Sequence, residues 1–208
     1  MSLAVAIADG LAAMAIDLPA AARERLEQHL QLISKWNRVH NLTAVRETEQ
    51  MVILHLLDSL SVLPHLEGAR TVLDVGTGPG LPGIPIAIAL PGSRVTLLDS
   101  SHKKCAFLQQ AKTELGLANV EIVCDRVENW KPREKFEAVV SRAFSDLGDF
   151  VAQAQHLLAP GGRLIAMKGV YPFDEIARVP DTHRVAKVLE LHVPRLDAKR
   201  HLVFVEAA

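Results

Sequence analysis

Cysteine is scarce in these 208 residues, with Cys105 and Cys124 the only two. That is too few for a disulfide scaffold, and no zinc-type spacing accompanies them, so two buried free thiols in a reducing compartment are expected and no metal site is. An excess of one charge is missing as well: 23 Lys and Arg stand against 24 Asp and Glu, a formal net charge of -1. With 49% hydrophobic and 23% charged residues, this balance excludes both a disordered polyelectrolyte and a general polycation. Any nucleic-acid partner must be met by a local patch. No apolar run approaches the roughly 18 residues of a membrane span. The alanine-rich stretch from Met1 to Ala22 lacks a basic n-region and is interrupted by Asp9 and Asp17, unlike a signal peptide. A cytoplasmic protein without membrane contact is expected, and a monomer.

What is present divides the chain in two. Residues 1–66 carry only helix-period patterns, the clearest being Leu26, Leu30, Ile33 and Trp36, then Val52, Leu56, Leu60 and Leu63, each drawing one apolar stripe. Between them the polar stretch from Asn37 to Thr43 breaks the period and reads as a functional connector, with a helix restarting near Thr48, flanked by Glu47 and Glu49. Residues 67–208 read as one compact unit in which short β-branched runs alternate with helices, the pattern of a largely parallel sheet covered on both faces. Strands are predicted over 71–75, 94–98, 120–123, 138–141 and 163–167. Helices are predicted to start around Ile84, Ser101 and Ser145 and to stop at Pro91-Gly92, Gly116 and Pro160-Gly161-Gly162. Two last extended stretches, 185–193 and 201–205, read as a terminal antiparallel hairpin. The fold class is therefore α/β, a mainly parallel seven-stranded sheet with a terminal antiparallel hairpin and an N-terminal helical extension.

The chemistry points to one turn. Asp74-Val75-Gly76-Thr77-Gly78-Pro79-Gly80 follows the first strand directly, and glycines at alternate positions let backbone turn sharply and approach a ligand closely. Asp99 ends the second strand, where an acid can accept both hydroxyls of a ribose, or else cap the next helix beside Ser100 and Ser101. The sheet-end position favours the ribose. Gly78 to Gly83 also matches the literal dinucleotide string G-x-G-x-x-G. However, the turn begins at Gly76, and Pro79, Pro82 and Pro85 remove backbone donors that a pyrophosphate would use. A nucleoside without phosphates suits this loop better.

The acid before the glycine turn, the second acid ending strand two, and Leu158-Ala159-Pro160-Gly161-Gly162-Arg163-Leu164 resemble the Rossmann-like S-adenosylmethionine-dependent methyltransferases. More specific stretches resemble one family among them: Trp36-Asn37, Asn41-Leu42-Thr43, His55 with Leu57-Asp58-Ser59, Asp74 to Pro85, Leu97 to Ser100, Arg126-Val127-Glu128, Ser141 to Phe144 and Lys168-Gly169. These are similar to the glucose-inhibited division protein B (RsmG) family, over nearly the whole chain. The resemblance implies methylation of N7 of one guanine in bacterial 16S ribosomal RNA, within the small subunit or an assembly intermediate. It implies S-adenosyl-L-methionine as cofactor, with Gly76, Gly78, Gly80 and Leu81 in the cofactor loop. Asp99 would take the ribose and Val127 and Glu128 the adenine, with Asp125 the rival of Glu128. Arg142 would both bind the cofactor and act as the catalytic residue, facing the methyl-transfer centre.

The residues themselves are compatible with a ring-nitrogen acceptor. Ser141-Arg142-Ala143-Phe144 after strand four offers neither the Asn-Pro-Pro-aromatic clamp of exocyclic amine transfer nor a cysteine nucleophile. Arg142 can meet substrate or form a structural ion pair, and its place at a strand end favours substrate. Phe144 can stack on an extruded base or belong to the core. Lys168 can reach RNA phosphate or simply be solvated. Lys35, Arg38 and Arg46 on the helical leader are candidates for RNA contact, against a plain solvated helix face, with Lys103, Lys104, Lys199 and Arg200 framing the catalytic face. His55 and Asp58, three apart on one helix, read as a structural histidine beside an acid, no third metal ligand being in view. A small-molecule O- or N-methyltransferase and a non-catalytic cofactor-binding module on the ribosome are the alternatives.

Overall fold

The computed structural model describes residues 2–144 and 146–208. The leader opens with α1 (Leu3–Ala13), whose Ser2 hydroxyl caps it by accepting from the Val5 amide at 3.3 Å, and α2 (Ala20–His40). α2 buries Leu26, Leu30 and Ile33, the stripe its period requires. It also includes Asn37 to His40, which the broken period placed in the connector, and it ends at Asn41 with φ 47°, a left-handed cap that Asn tolerates. The polar residues do not break the helix because buried Asn37 finds partners beyond its end. Its Oδ1 accepts from the Thr43 amide at 3.0 Å and its Nδ2 donates to the Val45 carbonyl at 3.5 Å. α3 (Thr48–Met51) then passes without interruption through a π-helical stretch (Val52–Leu57) into α4 (Asp58–Leu60).

One seven-stranded sheet follows, in the order β3-β2-β1-β4-β5-β7-β6. β1 (Thr71–Val75), β2 (Arg94–Leu98), β3 (Val120–Val123), β4 (Phe136–Ser141) and β5 (Leu158–Lys168) are parallel, and β7 (Arg200–Ala207) pairs antiparallel with both β5 and β6 (His183–Leu191). α5 (Gly83–Ala89) and α6 (His102–Glu114) connect the first three strands. α7 (Leu147–Ala154) buries Leu147, Phe150, Val151 and Ala154 and is capped by Asp146, which accepts from the Asp149 amide at 3.2 Å. The start expected at Ser145 lies outside the described residues. Short α8 (Phe173–Ile176) precedes the hairpin.

Pro160-Gly161-Gly162 proves to lie inside β5 rather than to stop a helix before it. Leu158 pairs with Phe136 and Arg163 with Ala138, two residues along β4 against five along β5, so the turn-forming residues are accommodated as a bulge. Side chains alternate between two cores, as a pleat dictates. Val72, Leu97 and Val140 face the leader, α5 and α6, whereas Leu73, Leu98 and Val139 face α7. The leader shares its core with the sheet: Leu26, Leu30 and Leu56 belong to the same buried cluster as Ile84, Val95 and Phe107. The thiols also differ from expectation. Cys105 on α6 is buried, but Cys124 follows the last residue of edge strand β3 and is exposed, with its Sγ 3.4 Å from His102 Nδ1. Burial, then the neighbouring Cys124 thiol, pushes the Cys105 thiol up to about 12.

Chain direction across the sheet reverses between β1 and β4. Ligands of open α/β sheets bind outside the carboxyl ends of the strands at such a switch point, and the glycine turn, Asp99 and Arg142 all sit on that edge.

Candidate active site

Two buried carboxylates hold the glycine turn. Asp74, fully buried, accepts from the Thr77 hydroxyl at 2.6 Å and the Gly83 amide at 2.7 Å through one oxygen. Burial pushes its carboxyl up to about 6, against the pull of those two hydrogen bonds. Asp99 accepts from the Gly78 amide at 2.9 Å, so the turn is pinned at its middle as well as its ends. Gly76, Gly78 and Gly80 take φ of 69°, 60° and 82°, a region that costs other L-residues about 1–2 kcal/mol. At Gly76 space is short too, since a Cβ would come within 2.6 Å of the Ala143 Cβ across the β1–β4 junction. Gly83 is equally enclosed, by Leu97 and Asp74. From the leader, His29 Nε2 donates to the Pro79 carbonyl at 2.9 Å. Burial lowers this histidine to about 4, which keeps it neutral, and its Nδ1 has no hydrogen-bond partner among the described residues.

Beside the turn lies a cavity of about 380 Å³, lined by Gly76, Asp99, Ser100, Lys104, Asp125, Val127, Glu128, Ala143, Phe144 and Gln153 among others. The structure thus brings Gly76, Asp99, Val127 and Glu128 together, with Asp125 and Phe144. Gly78, Gly80 and Leu81 shape the turn from behind it, Leu81 being buried in the leader-side core. Asp99 faces the cavity and closes a turn just ahead of α6, whose N-cap is Ser101 and not this acid. One oxygen accepts from the Ser101 amide at 2.9 Å at the start of α6, and the other from Gly78 and from Lys104 Nζ at 3.2 Å. The sequence does not attach Lys104 to this acid, although a place in the first turn of α6, five residues beyond Asp99, brings the two within reach. Glu128 is exposed and 3.4 Å from Arg126 Nη1. Phe144 packs on Phe150 with ring centroids 5.0 Å apart while still facing the cavity.

A second cavity, of about 370 Å³, opens on the other side of the β4 end. Its wall includes Leu54, His55, Asp58, Arg142, Lys168, Arg200 and His201. Arg142, expected to bind the cofactor, therefore lines this cavity and not the first. Its Nη1 donates to Asp58 Oδ2 at 2.9 Å and to the Leu54 carbonyl at 3.2 Å. Arg200 donates through Nε to the other oxygen, Asp58 Oδ1, at 2.8 Å. Asp58 thus bridges two guanidiniums, one just after the end of β4 and one at the start of β7. Arg142 does form a structural ion pair, and that pair presents it to the cavity instead of withdrawing it. The π-helical stretch matters here, because i→i+5 bonding alters which carbonyls are free, and Leu54 within it is the one Arg142 uses. His55 bonds Thr43 Oγ1 at 2.9 Å and is lowered to about 4 by burial first and the Arg142 charge next. Lys168 is buried rather than solvated, donating to the Phe144 carbonyl at 3.0 Å and to Glu175 at 2.7 Å.

The leader cations Lys35, Arg38 and Arg46 line neither cavity, and among the described residues none forms an ion pair. Among the described residues no three His, Cys, Asp or Glu side chains gather as a metal site needs, and no helix is long and apolar enough to cross a membrane.

Comparisons with known proteins bear on the family and the fold. A family model described as "GidB: rRNA small subunit methyltransferase G" matches residues 22–203. A Nitrosospira multiformis protein named Ribosomal RNA small subunit methyltransferase G is 54% identical over 215 residues, covering 100% of this chain and 99% of its own length. Its namesake from Aromatoleum aromaticum is 55% identical over 207 residues, with 98% of each chain covered. Among solved structures, an O-methyltransferase from Bacillus cereus in complex with SAH superposes with a TM-score of 0.61 at 20% identity over all of both chains. The O-methyltransferase TomG from Streptomyces achromogenes, in complex with SAM, gives 0.60 at 17% identity, with 92% of this chain and 91% of that one covered. At such identity the likeness is one of fold, and the fold is the Rossmann-like one of S-adenosylmethionine-dependent methyltransferases.

Proposed function

Because this chain belongs to the GidB family of small-subunit ribosomal RNA methyltransferases, we propose that it methylates N7 of one guanine in 16S ribosomal RNA. The substrate is the RNA of the small subunit or of an assembly intermediate, and the enzyme works in the cytoplasm as a monomer. The cofactor is S-adenosyl-L-methionine, and the first cavity fits it. Gly76 leaves an approach that a Cβ would close, and buried Asp99 can turn its carboxylate to ribose hydroxyls. Val127 supplies an apolar wall for adenine, with Glu128 and Asp125 at its edge.

The observation that carries the acceptor assignment is the charge of the second cavity. Its lining holds Arg142, Arg200 and Lys168, and its one carboxylate, Asp58, has both oxygens engaged by guanidiniums. His55, held near 4, is a poor base at neutral pH. Such a wall suits an anionic substrate whose acceptor atom already carries a free lone pair. Bound S-adenosylmethionine supplies an electrophilic methyl group on a sulfonium sulfur, and guanine N7 takes it without first losing a proton. The protein's task is then alignment. Arg142 offers a planar cation to the purine, Asp58 fixes that plane, and Lys168 ties the second cavity to Phe144 of the first. Lys35, Arg38 and Arg46 would meet RNA phosphates farther out.

A radiolabelled methyl-transfer assay on total RNA, protein and metabolites, followed by mass mapping of the labelled nucleoside, tests the proposal. The expected outcome is 7-methylguanosine in small-subunit ribosomal RNA. Label in a metabolite or an alcohol oxygen would establish the small-molecule enzyme instead. Cofactor binding without transfer to any fraction would establish a binding module.

A further inference from the structure

The segment leaving the second cavity carries an apolar feature that methyl transfer does not use. Lys168 and Gly169 belong to the cavity wall, and Val170, Tyr171, Pro172 and Phe173 come next. Val170 and Phe173 are each 75% exposed and Tyr171 39%. Five large hydrophobic side chains are exposed among the described residues, and three of them fall within these four positions. The Tyr171 and Phe173 rings lie side by side, with centroids 4.2 Å apart and planes at 40°. Tyr171 also meets His201, a wall residue of the cavity, edge-on at 5.6 Å and 85°.

The pair is held in place. Glu175, in the same short helix as Phe173, receives the buried Lys168 ammonium at 2.7 Å, and that ammonium donates as well to the Phe144 carbonyl. A single buried lysine therefore fixes the aromatic pair relative to both cavities. Three side chains are far too few for a protein interface, which needs about 800 Å² on each partner. They match the face of one or two nucleobases, and any base has a face on which an aromatic ring can stack. A base modified inside folded RNA must leave its stack, which strips its neighbour of a stacking partner. A ring pair that touches His201 in the wall of the acceptor cavity, one residue along β7 from the Arg200 cation, can replace that partner.

We infer that Tyr171 and Phe173 form a stacking platform for the RNA nucleotide adjoining the methylated base. The inference rests on the RNA reading above and adds a positioning element to it. The platform acts on RNA binding and base presentation, not on cofactor binding.

The test uses Phe173→Ala, Tyr171→Ala and Phe173→Trp in the full chain, with folding checked by circular dichroism. For the alanine variants the KM for small-subunit ribosomal RNA is expected to rise about 5- to 150-fold, the affinity equivalent of removing one aromatic–base stack. The Kd for S-adenosylmethionine should stay within twofold. Phe173→Trp should retain the wild-type KM. Its added fluorescence, taken as the difference from wild type, should be quenched by a short single-stranded RNA and untouched by cofactor. Folded alanine variants with wild-type KM, or a Phe173→Trp variant that RNA does not quench, would overturn the platform. Should the wild-type protein label no RNA at all, the proposed function fails and takes with it the placement beside a methylated base, while the fluorescence titration still shows whether the two rings stack on RNA.

Discussion

The two cavities at the carboxyl edge of the sheet are built from different materials. The one beside the glycine turn is made of backbone: amides of Gly78 and Gly83 tied to two buried carboxylates, Gly83 having no room for a Cβ and Gly78 taking a left-handed φ. The one beside Arg142 is made of charged side chains that converge from the leader, β4, β5 and β7 onto Asp58 and its neighbours. The first is held by hydrogen bonds between residues 9 and 21 positions apart. The second depends on ion pairs between residues 84 and 142 positions apart. A backbone site should therefore fail through shape and an ion-pair site through charge, and each should fail without the other.

The sharpest break is Gly76→Val. It adds left-handed strain of about 1–2 kcal/mol and overpacking of about 1–3 kcal/mol against Ala143, so cofactor affinity measured by calorimetry should fall roughly a hundredfold or more. Asp58→Ala should do the converse. Stripping a shared carboxylate from two partly buried guanidiniums costs up to about 3–5 kcal/mol, and single-turnover methyl transfer should slow about a hundredfold with the cofactor Kd within twofold. Equal loss of both functions in either variant would erase the distinction between the cavities.

Acid should loosen both, because His29 braces the glycine turn and His55 the charged wall. Each is lowered from 6.5 to about 4, so the unfolded chain binds protons that the native one refuses. Their stabilisation is complete above pH 6.5 and is lost as pH falls towards 4, by up to about 3 kcal/mol each. Asp74 has the opposite sign: raised from 3.8 to about 6, it is relieved as pH drops through 6 and offsets about one histidine. Urea midpoints should decline from about pH 7 to about 4.5, with a shallower decline in His29→Gln. Asp99→Ala removes a charge-assisted acceptor worth about 1.5–3 kcal/mol, so cofactor affinity should drop about ten- to hundredfold with the acceptor KM unchanged. The mildest effect belongs to the leader. Neutralising Lys35, Arg38 and Arg46 should reduce the slope of log affinity for RNA against log salt by about 0.7–0.9 for each phosphate these cations would pair with, leaving cofactor affinity as it was.

The difference in materials also explains which parts were legible. Alternation of β-branched runs with helical stretches is local, and it located every strand to within a few residues, apart from the early start of β5. That strand begins at Leu158 because a bulge opposite Phe136 absorbs Pro160-Gly161-Gly162, and only the neighbouring strand makes this possible. Helix α2 outran its expected end because Asn37 is satisfied by Thr43 and Val45, partners that no periodicity reveals. Cys124 is exposed because β3 stops one residue earlier at the edge of the sheet.

The glycine turn, the acids at Asp74 and Asp99, and the α/β order were all written in the linear chain, since turn chemistry and pleat or helix period act over a few residues. Packing of distant segments was needed before Asp58 could join Arg142 to Arg200, before the Leu54 carbonyl could meet that guanidinium, and before Lys168 could be buried against Glu175 and Phe144. Those contacts draw their energy from charges brought together out of water, and which charges meet depends on how the leader and the last strand pack against the same sheet edge.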